Sequence, residues 1–188
     1  EEAKGQLIEL QNRIENFEAG PSLVELGNKI VALDPEFAMG VYYLSAVVPP
    51  PDNQVHLDKA VELSKNASDG ERRFIDAMAV ARANGGTNFQ AAVPDLEKLA
   101  ADYPGERLVF MILGQIYQGT NETDKAVKAF ERALEIGPPS ARARTFIANA
   151  GLLEGHYAES RDTFQEVAKG LPEEMMKMAA QKTDEIRK

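Results

Sequence analysis

Several residue types that carry chemistry or cross-links are scarce or missing. The 188-residue chain has no cysteine, no tryptophan and only two histidines, His56 and His156. The lack of cysteine excludes disulfides, thiolate metal sites and a cysteine nucleophile. The two histidines lie far apart in the chain, and they do not form a histidine pair at the spacing of a metal-binding helix face. We therefore predict no catalytic residue, no metal and no cofactor, and we do not expect an enzyme.

Long hydrophobic runs and an excess of positive charge are also missing. The longest apolar stretches, such as 41–48, are short and end at proline, so a membrane-spanning helix is not expected. Aspartate and glutamate number 30 against 21 lysines and arginines, which gives a net charge of -9. This charge disfavours nucleic acid and anionic lipid as partners. We expect a soluble protein. Because the chain begins with Glu1 rather than methionine, cytoplasmic and exported (periplasmic) locations both stay open.

What the sequence does contain is a repeat. Pro104, Pro138 and Pro172 follow one another at steps of 34 residues (138 − 104 and 172 − 138). Other positions keep the same step: Phe89, Thr123 and Tyr157; Ala92, Ala126 and Ser160; Leu96, Phe130 and Phe164; Ala100, Leu134 and Ala168. Apolar residues within each period recur at three-and-four spacing, which is typical of amphipathic helices. A period of this length indicates stacked supersecondary units.

One copy of the repeat has a well-defined pattern. Residues 106–139 carry, in order, Phe110, Leu113-Gly114, Tyr117, Ala126, Phe130, Ala133 and Pro138. These residue types and spacings resemble the tetratricopeptide repeat, with phenylalanine at the first position in place of the usual tryptophan. The resemblance is strong from about residue 70 to 172 and weaker upstream, where the first repeat keeps little more than its closing Leu33-Asp34-Pro35.

The resemblance implies an all-α fold, an α-α superhelix of about five helix pairs and a C-terminal capping helix. We predict a single repeat domain over 1–188, with pairs at 3–35, 36–69, 70–104, 105–139 and 140–172 and the capping helix at 173–188. In the best copy we predict the first helix (A) at 107–118 and the second (B) at 123–136. Pro94 falls inside the expected B helix of the third pair, so that helix either begins late or bends.

In this family the A helices line a concave groove in which protein ligands usually lie. The resemblance therefore implies a non-catalytic scaffold that binds a protein or peptide, either an amphipathic helix or an extended hydrophobic segment. The groove positions that it assigns are Tyr42, Tyr43, Phe74, Met78, Met111, Gln115, Arg142, Phe146 and Asn149.

Two alternatives stay open at this point. These side chains could simply pack between neighbouring A helices, and burial of Tyr42, Met78, Met111 and Phe146 in the isolated chain would weaken the groove hypothesis. The protein could also be a self-associating assembly module that forms a homodimer, or an accessory domain trimmed from a larger bacterial protein.

Overall fold

The computed structural model describes residues 1–82 and 87–170, and within them the protein is helical throughout, without a strand. Ten α-helices follow one another within these described residues. Their bounds are α1 Glu2–Glu15, α2 Pro21–Leu33, α3 Ala38–Val47, α4 Asp52–Ser64, α5 Asp69–Ala81, α6 Val93–Asp102, α7 Arg107–Gly119, α8 Thr123–Ile136, α9 Ala141–Leu153 and α10 Tyr157–Lys169. A short 3-10 helix, Phe89–Ala92, leads into α6.

The helices form five consecutive pairs, each made of an A helix (α1, α3, α5, α7 and α9) and the B helix that follows it. Each helix packs against its neighbours in the chain, and α3 also contacts α1 and α5. The predicted all-α repeat fold is therefore confirmed. The predicted capping helix at 173–188 lies outside the described residues.

Local sequence signals explain where several helices begin. The Ser68 side chain accepts from the backbone N–H of Glu71 at 3.4 Å, while the Glu71 carboxylate accepts from the Ser68 N–H at 3.4 Å. This reciprocal capping box satisfies free donors at the start of α5. Pro94 is the second residue of α6, where proline costs no hydrogen bond. Of the two possibilities for that helix, the late start is therefore the correct one, and the 3-10 turn precedes it.

Small residues let the two helices of the best pair approach closely. A Cβ placed on Gly114 of α7 would lie 2.7 Å from the nearest ring atoms of Phe130 on α8. Phe130, Ala126 and Ala133 are fully buried against this contact. The repeat tyrosine then joins successive pairs, because the Tyr117 hydroxyl donates to the Glu97 carboxylate of α6 at 2.5 Å. The residues of the repeat pattern thus make contacts both within a pair and between neighbouring pairs.

One apolar core runs through the array. It extends from Ala3 in α1 to Ala143 in α9 without interruption between pairs. The last pair is the least covered, because Leu153 and Tyr157 are 88% and 69% exposed. Such exposure in the last pair is expected of an array in which each pair buries its apolar face against the next.

Candidate partner-binding cleft

The A helices of the first four pairs surround a cleft on the concave side of the array. We call it the concave cleft; its volume is about 410 Å³. Its walls come from α1, α3, α5 and α7, from the α1–α2 turn and the start of α2, and from Phe89. The lining side chains are Gln11, Ile14, Glu15, Glu18, Ala19, Leu23, Tyr42, Tyr43, Ala46, Val47, Met78, Phe89, Leu108, Met111, Ile112 and Gln115. Most of them are apolar or aromatic, as in sites that bind hydrophobic ligands.

The structure brings five of the nine predicted groove residues together in this cleft: Tyr42, Tyr43, Met78, Met111 and Gln115. The other four lie elsewhere. Phe74 lines a smaller cavity of about 280 Å³ beside the start of α7. Phe146 packs against Phe130, with ring centroids 5.3 Å apart. Arg142 contacts the end of α1, and Asn149 is exposed on α9.

Burial limits what the predicted residues offer to a partner. Tyr42, Tyr43, Phe74, Met78 and Met111 are each at most 7% exposed. Gln115, Arg142 and Phe146 are half-buried. Tyr42, Tyr43, Met78 and Met111 form the floor of the cleft. Tyr42, Met78 and Met111 therefore show the burial that weakens the groove hypothesis, whereas Phe146 does not. The exposed side chains of the wall are Ala19, Ala46 and Phe89, and Ile112 and Gln115 are half-buried.

The aromatic floor is held in one arrangement by edge-to-face contacts. The Tyr42 ring lies 5.5 Å from that of Tyr43 and 5.3 Å from that of Phe74, with interplanar angles of 88° and 84°. Such geometry places the positive ring edge against the negative ring face. Burial raises the pKa of Tyr42 to about 12, and burial followed by the neighbouring Tyr42 raises the pKa of Tyr43. Both phenols are therefore neutral near pH 7.

A half-buried arginine joins two helices on this side of the floor. Arg82, just after α5, donates to the Ser45 hydroxyl at 2.9 Å and to the Ser45 carbonyl at 3.1 Å. The Ser45 hydroxyl in turn donates to the Tyr42 carbonyl at 2.6 Å. These bonds join the ends of α3 and α5, the A helices of the second and third pairs. They set the spacing of two cleft walls.

The first pair contacts the far end of the array. Arg107, the first residue of α7, forms a two-pronged ion pair with Glu15, the last residue of α1, at 2.7 and 2.5 Å. Both side chains are largely buried, at 15% and 8% exposure. Asn16 and Ser140 add hydrogen bonds between the same regions. The cleft is therefore bordered by a contact between pairs that are distant in sequence.

Several cleft residues were not among the sequence predictions. Gln11, Ile14, Glu15, Glu18 and Leu23 belong to the first pair, whose repeat pattern is too degenerate to assign A-helix positions. Phe89 belongs to a 34-residue series, but its place beside the cleft depends on the 3-10 turn before α6. A sequence signal for Glu15 was absent, because its partner lies 92 residues away.

Within residues 1–82 and 87–170, the side chains do not form a group of three or more histidines and carboxylates that could hold a metal ion. Over the same described ranges, none of the helices combines the length and hydropathy that crossing a bilayer requires.

Comparisons with known proteins bear on the repeat. A family model of the tetratricopeptide repeat matches residues 81–141 and again 113–174, which together span half of the chain. The chain belongs to the tetratricopeptide repeat family. Arrays of this family generally act as non-catalytic scaffolds for protein interaction. No curated protein matches the chain in sequence.

Solved structures of similar fold include three of MamA. One crystal structure of MamA is 24% identical with a TM-score of 0.47 and covers 78% of this chain and 80% of its own. A second is 22% identical with a TM-score of 0.49, covering 78% and 85%. A structure of MamA AMB-1 is 18% identical with a TM-score of 0.48, covering 92% and 93%.

Proposed function

We propose that this tetratricopeptide protein is a non-catalytic scaffold, formed by the whole chain as one repeat domain, that binds a hydrophobic segment of a partner protein in the concave cleft. The size and the lining of the cleft support this proposal. It has a volume of about 410 Å³ and walls that are mostly apolar or aromatic. Clefts of roughly 300–1,000 Å³ with such walls are the usual size for specific ligands.

The volume of the cleft favours one kind of occupant. A helix about 10 Å across and three turns long fills more than roughly 1,000 Å³. The cleft in its present form is smaller and suits a few side chains of an extended segment. The buried floor supplies shape and a rigid base, because Tyr42 and Tyr43 are fixed by their ring contacts. Ala46, Ile112 and Gln115 supply the surface that a partner touches.

The test uses a charge placed on the accessible wall. Ala46 is exposed at the second-last position of α3, within the cleft. Ala46→Glu would put a carboxylate against an apolar ligand and weaken its binding by desolvation. Ala101 is a matched control, because it is exposed at the second-last position of α6 and faces away from the cleft.

The probes are peptides selected from a displayed random library for binding to the unmodified protein. Binding of the selected peptides is then measured by fluorescence anisotropy with each variant. The proposal expects Ala46→Glu to weaken binding by at least about tenfold, the equivalent of 1.4 kcal/mol, and Ala101→Glu to leave it unchanged. Equal affinity for the two variants would place the binding site elsewhere, and failure to select any peptide would refute the proposal.

A second candidate function is self-association through the last pair. Leu153 and Tyr157, at the end of α9 and the start of α10, are the most exposed large hydrophobic side chains in the described part of the chain. A second copy of the chain could cover them in a homodimer. Light scattering over a wide concentration range tests this. A monomer at high concentration, or a dimer that persists in Leu153→Ser, would refute a dimer held by this surface.

A further inference from the structure

The end of the first helix contacts two later pairs of the array. Besides the Glu15–Arg107 ion pair, the Asn16 side-chain oxygen accepts from the Ala141 N–H at 3.2 Å. The Glu15 carbonyl accepts from the Ser140 hydroxyl at 3.5 Å. All these groups on the first pair lie within one turn of chain. They meet the first residue of α7 and the start of α9.

One more arginine takes part in this junction. Arg142 of α9 donates to the Ile14 carbonyl at 3.4 Å. Its guanidinium lies 5.1 Å from the centre of the Phe17 ring, within the range of a cation–π interaction. We call residues 14–17 the latch and Arg107 with 140–142 its receptor. Together they close a loop of helices around the concave cleft.

The latch differs from the other contacts of the array. In a repeat protein each pair is held mainly by its neighbours. The first pair satisfies that rule independently, because α1 packs against α2 and α3 and buries Leu7 and Leu10 in the common core. We therefore expect these contacts of the first pair to persist when the latch separates from its receptor.

The chemistry of the junction also favours reversible opening. The desolvation of a buried ion pair offsets much of its attraction, and both charges regain water when they separate. In the closed arrangement the Nε atoms of Arg107 and Arg142 are buried, and neither has a hydrogen-bond partner among the described residues. An unsatisfied buried donor destabilises the state that contains it. Opening would let water bind both.

We propose that residues 14–17 form a latch that gates the concave cleft: closed, it limits the cleft to a few side chains, and open, it admits a longer stretch of the partner's extended segment. The gating rests on the function proposed above, whereas the opening does not depend on a partner. Ile14, Glu15 and Glu18 are themselves walls of the cleft. Their movement away from Arg107 would enlarge the cleft and uncover its aromatic floor.

The absence of cysteine from the chain permits a direct test. Asn16→Cys and Ala141→Cys introduce two thiols at residues that are joined across the junction by the Ala141 N–H to Asn16 hydrogen bond. Equilibration with glutathione gives their effective concentration, which reports how often the latch is closed. Glu15→Lys places a like charge opposite Arg107 and should lower that value by at least about tenfold. Glu25→Lys, an equal charge change on the exposed side of α2, should not lower it.

The second arm measures peptide binding to the two-cysteine protein in oxidised and reduced form. The probes are the peptides selected from the displayed library on the unmodified protein. We expect the oxidised, locked form to bind at least about tenfold more weakly, and reduction to restore binding. Equal effective concentrations in Glu15→Lys and Glu25→Lys would refute the latch whatever the partner.

The remaining outcomes separate the two proposals. An effective concentration that falls in Glu15→Lys, together with equal peptide affinity in the locked and reduced forms, would overturn the gating and leave groove binding intact. If no peptide binds either form, the gating falls with the proposed function, while the effective concentration still decides whether the latch opens.

Discussion

Gly114 provides a direct test of the close approach between α7 and α8. It lies in the interior of α7, where replacement of glycine by alanine ordinarily stabilises a helix by about 1 kcal/mol. Here the new methyl group would stand 2.7, 2.7 and 2.9 Å from three ring atoms of Phe130. Such distances are well below normal carbon–carbon contact, which begins at about 3.5 Å. One of the two residues must move.

The packing around Phe130 leaves it little room to move. Its side chain is fully buried, and the centre of the Phe146 ring lies 5.3 Å from that of the Phe130 ring. Overpacking of a well-filled core typically costs about 1–3 kcal/mol. After the helix-propensity gain of about 1 kcal/mol, we expect Gly114→Ala to destabilise the protein by roughly 0–2 kcal/mol. Gly5→Ala is the control, because a Cβ at Gly5 has no heavy atom within 4 Å.

The assay is thermal and denaturant unfolding followed by circular dichroism. A change of 1 kcal/mol shifts the midpoint by about 2–4 °C for a chain of this size. We expect Gly5→Ala to raise the midpoint and Gly114→Ala to leave it unchanged or lower it, with a difference of about 1–3 kcal/mol between the two. Phe130→Leu should relieve the clash, so the double variant should be less destabilised than the sum of the single variants. A Gly114→Ala protein as stabilised as Gly5→Ala, without coupling to Phe130→Leu, would refute the reasoning.

Three further predictions concern packing, capping and titration. Ala126→Leu should overpack the same contact and destabilise the protein by about 1–3 kcal/mol, and unchanged urea unfolding would contradict it. Ser68→Ala should remove the capping box of α5 and lower the stability measured by urea unfolding by about 1 kcal/mol. Ser68→Asp retains a hydrogen-bond acceptor and should keep most of that stability. Because the folded pKa of Tyr42 is raised from 10.0 to about 12, folding favours the protonated phenol, and that stabilisation is lost as pH rises from 10 toward 12. Tyr42→Phe should flatten this alkaline loss of stability, and tyrosinate absorbance recorded with circular dichroism would show whether ionisation and unfolding coincide.

Much of the helical architecture could be predicted from the sequence, because the signals involved are local. The predicted B helix at 123–136 agrees with α8, and the predicted A helix at 107–118 differs from α7 by one residue at its end. Turn residues, helix periodicity and proline act over a few residues each, so they can be interpreted without knowledge of the fold. Pro94 left two possibilities open, because the 3-10 turn before α6 is not marked by any distinct residue pattern.

The cleft was predicted less well than the helices. The family pattern identifies the face of an A helix but not how far that face is covered by the next pair. Phe74, for example, contacts Tyr42 of the preceding pair and is buried, and Phe146 packs against the B helix of the fourth pair. The degree of burial depends on the rotation between successive pairs, which many side chains set together.

The sequence by itself determined that this chain forms stacked helix pairs of the tetratricopeptide type. The small, aromatic and proline residues that recur every 34 residues make their contacts within one pair or between adjacent pairs, so the pattern can be recognised without the fold. Only the tertiary structure decided the curvature of the array and hence which A-helix side chains line the cleft. It also decided that Glu15 meets Arg107 across 92 residues. Small rotations at each junction accumulate along the chain, so the position of the first pair relative to the fourth and fifth is a property of the whole array.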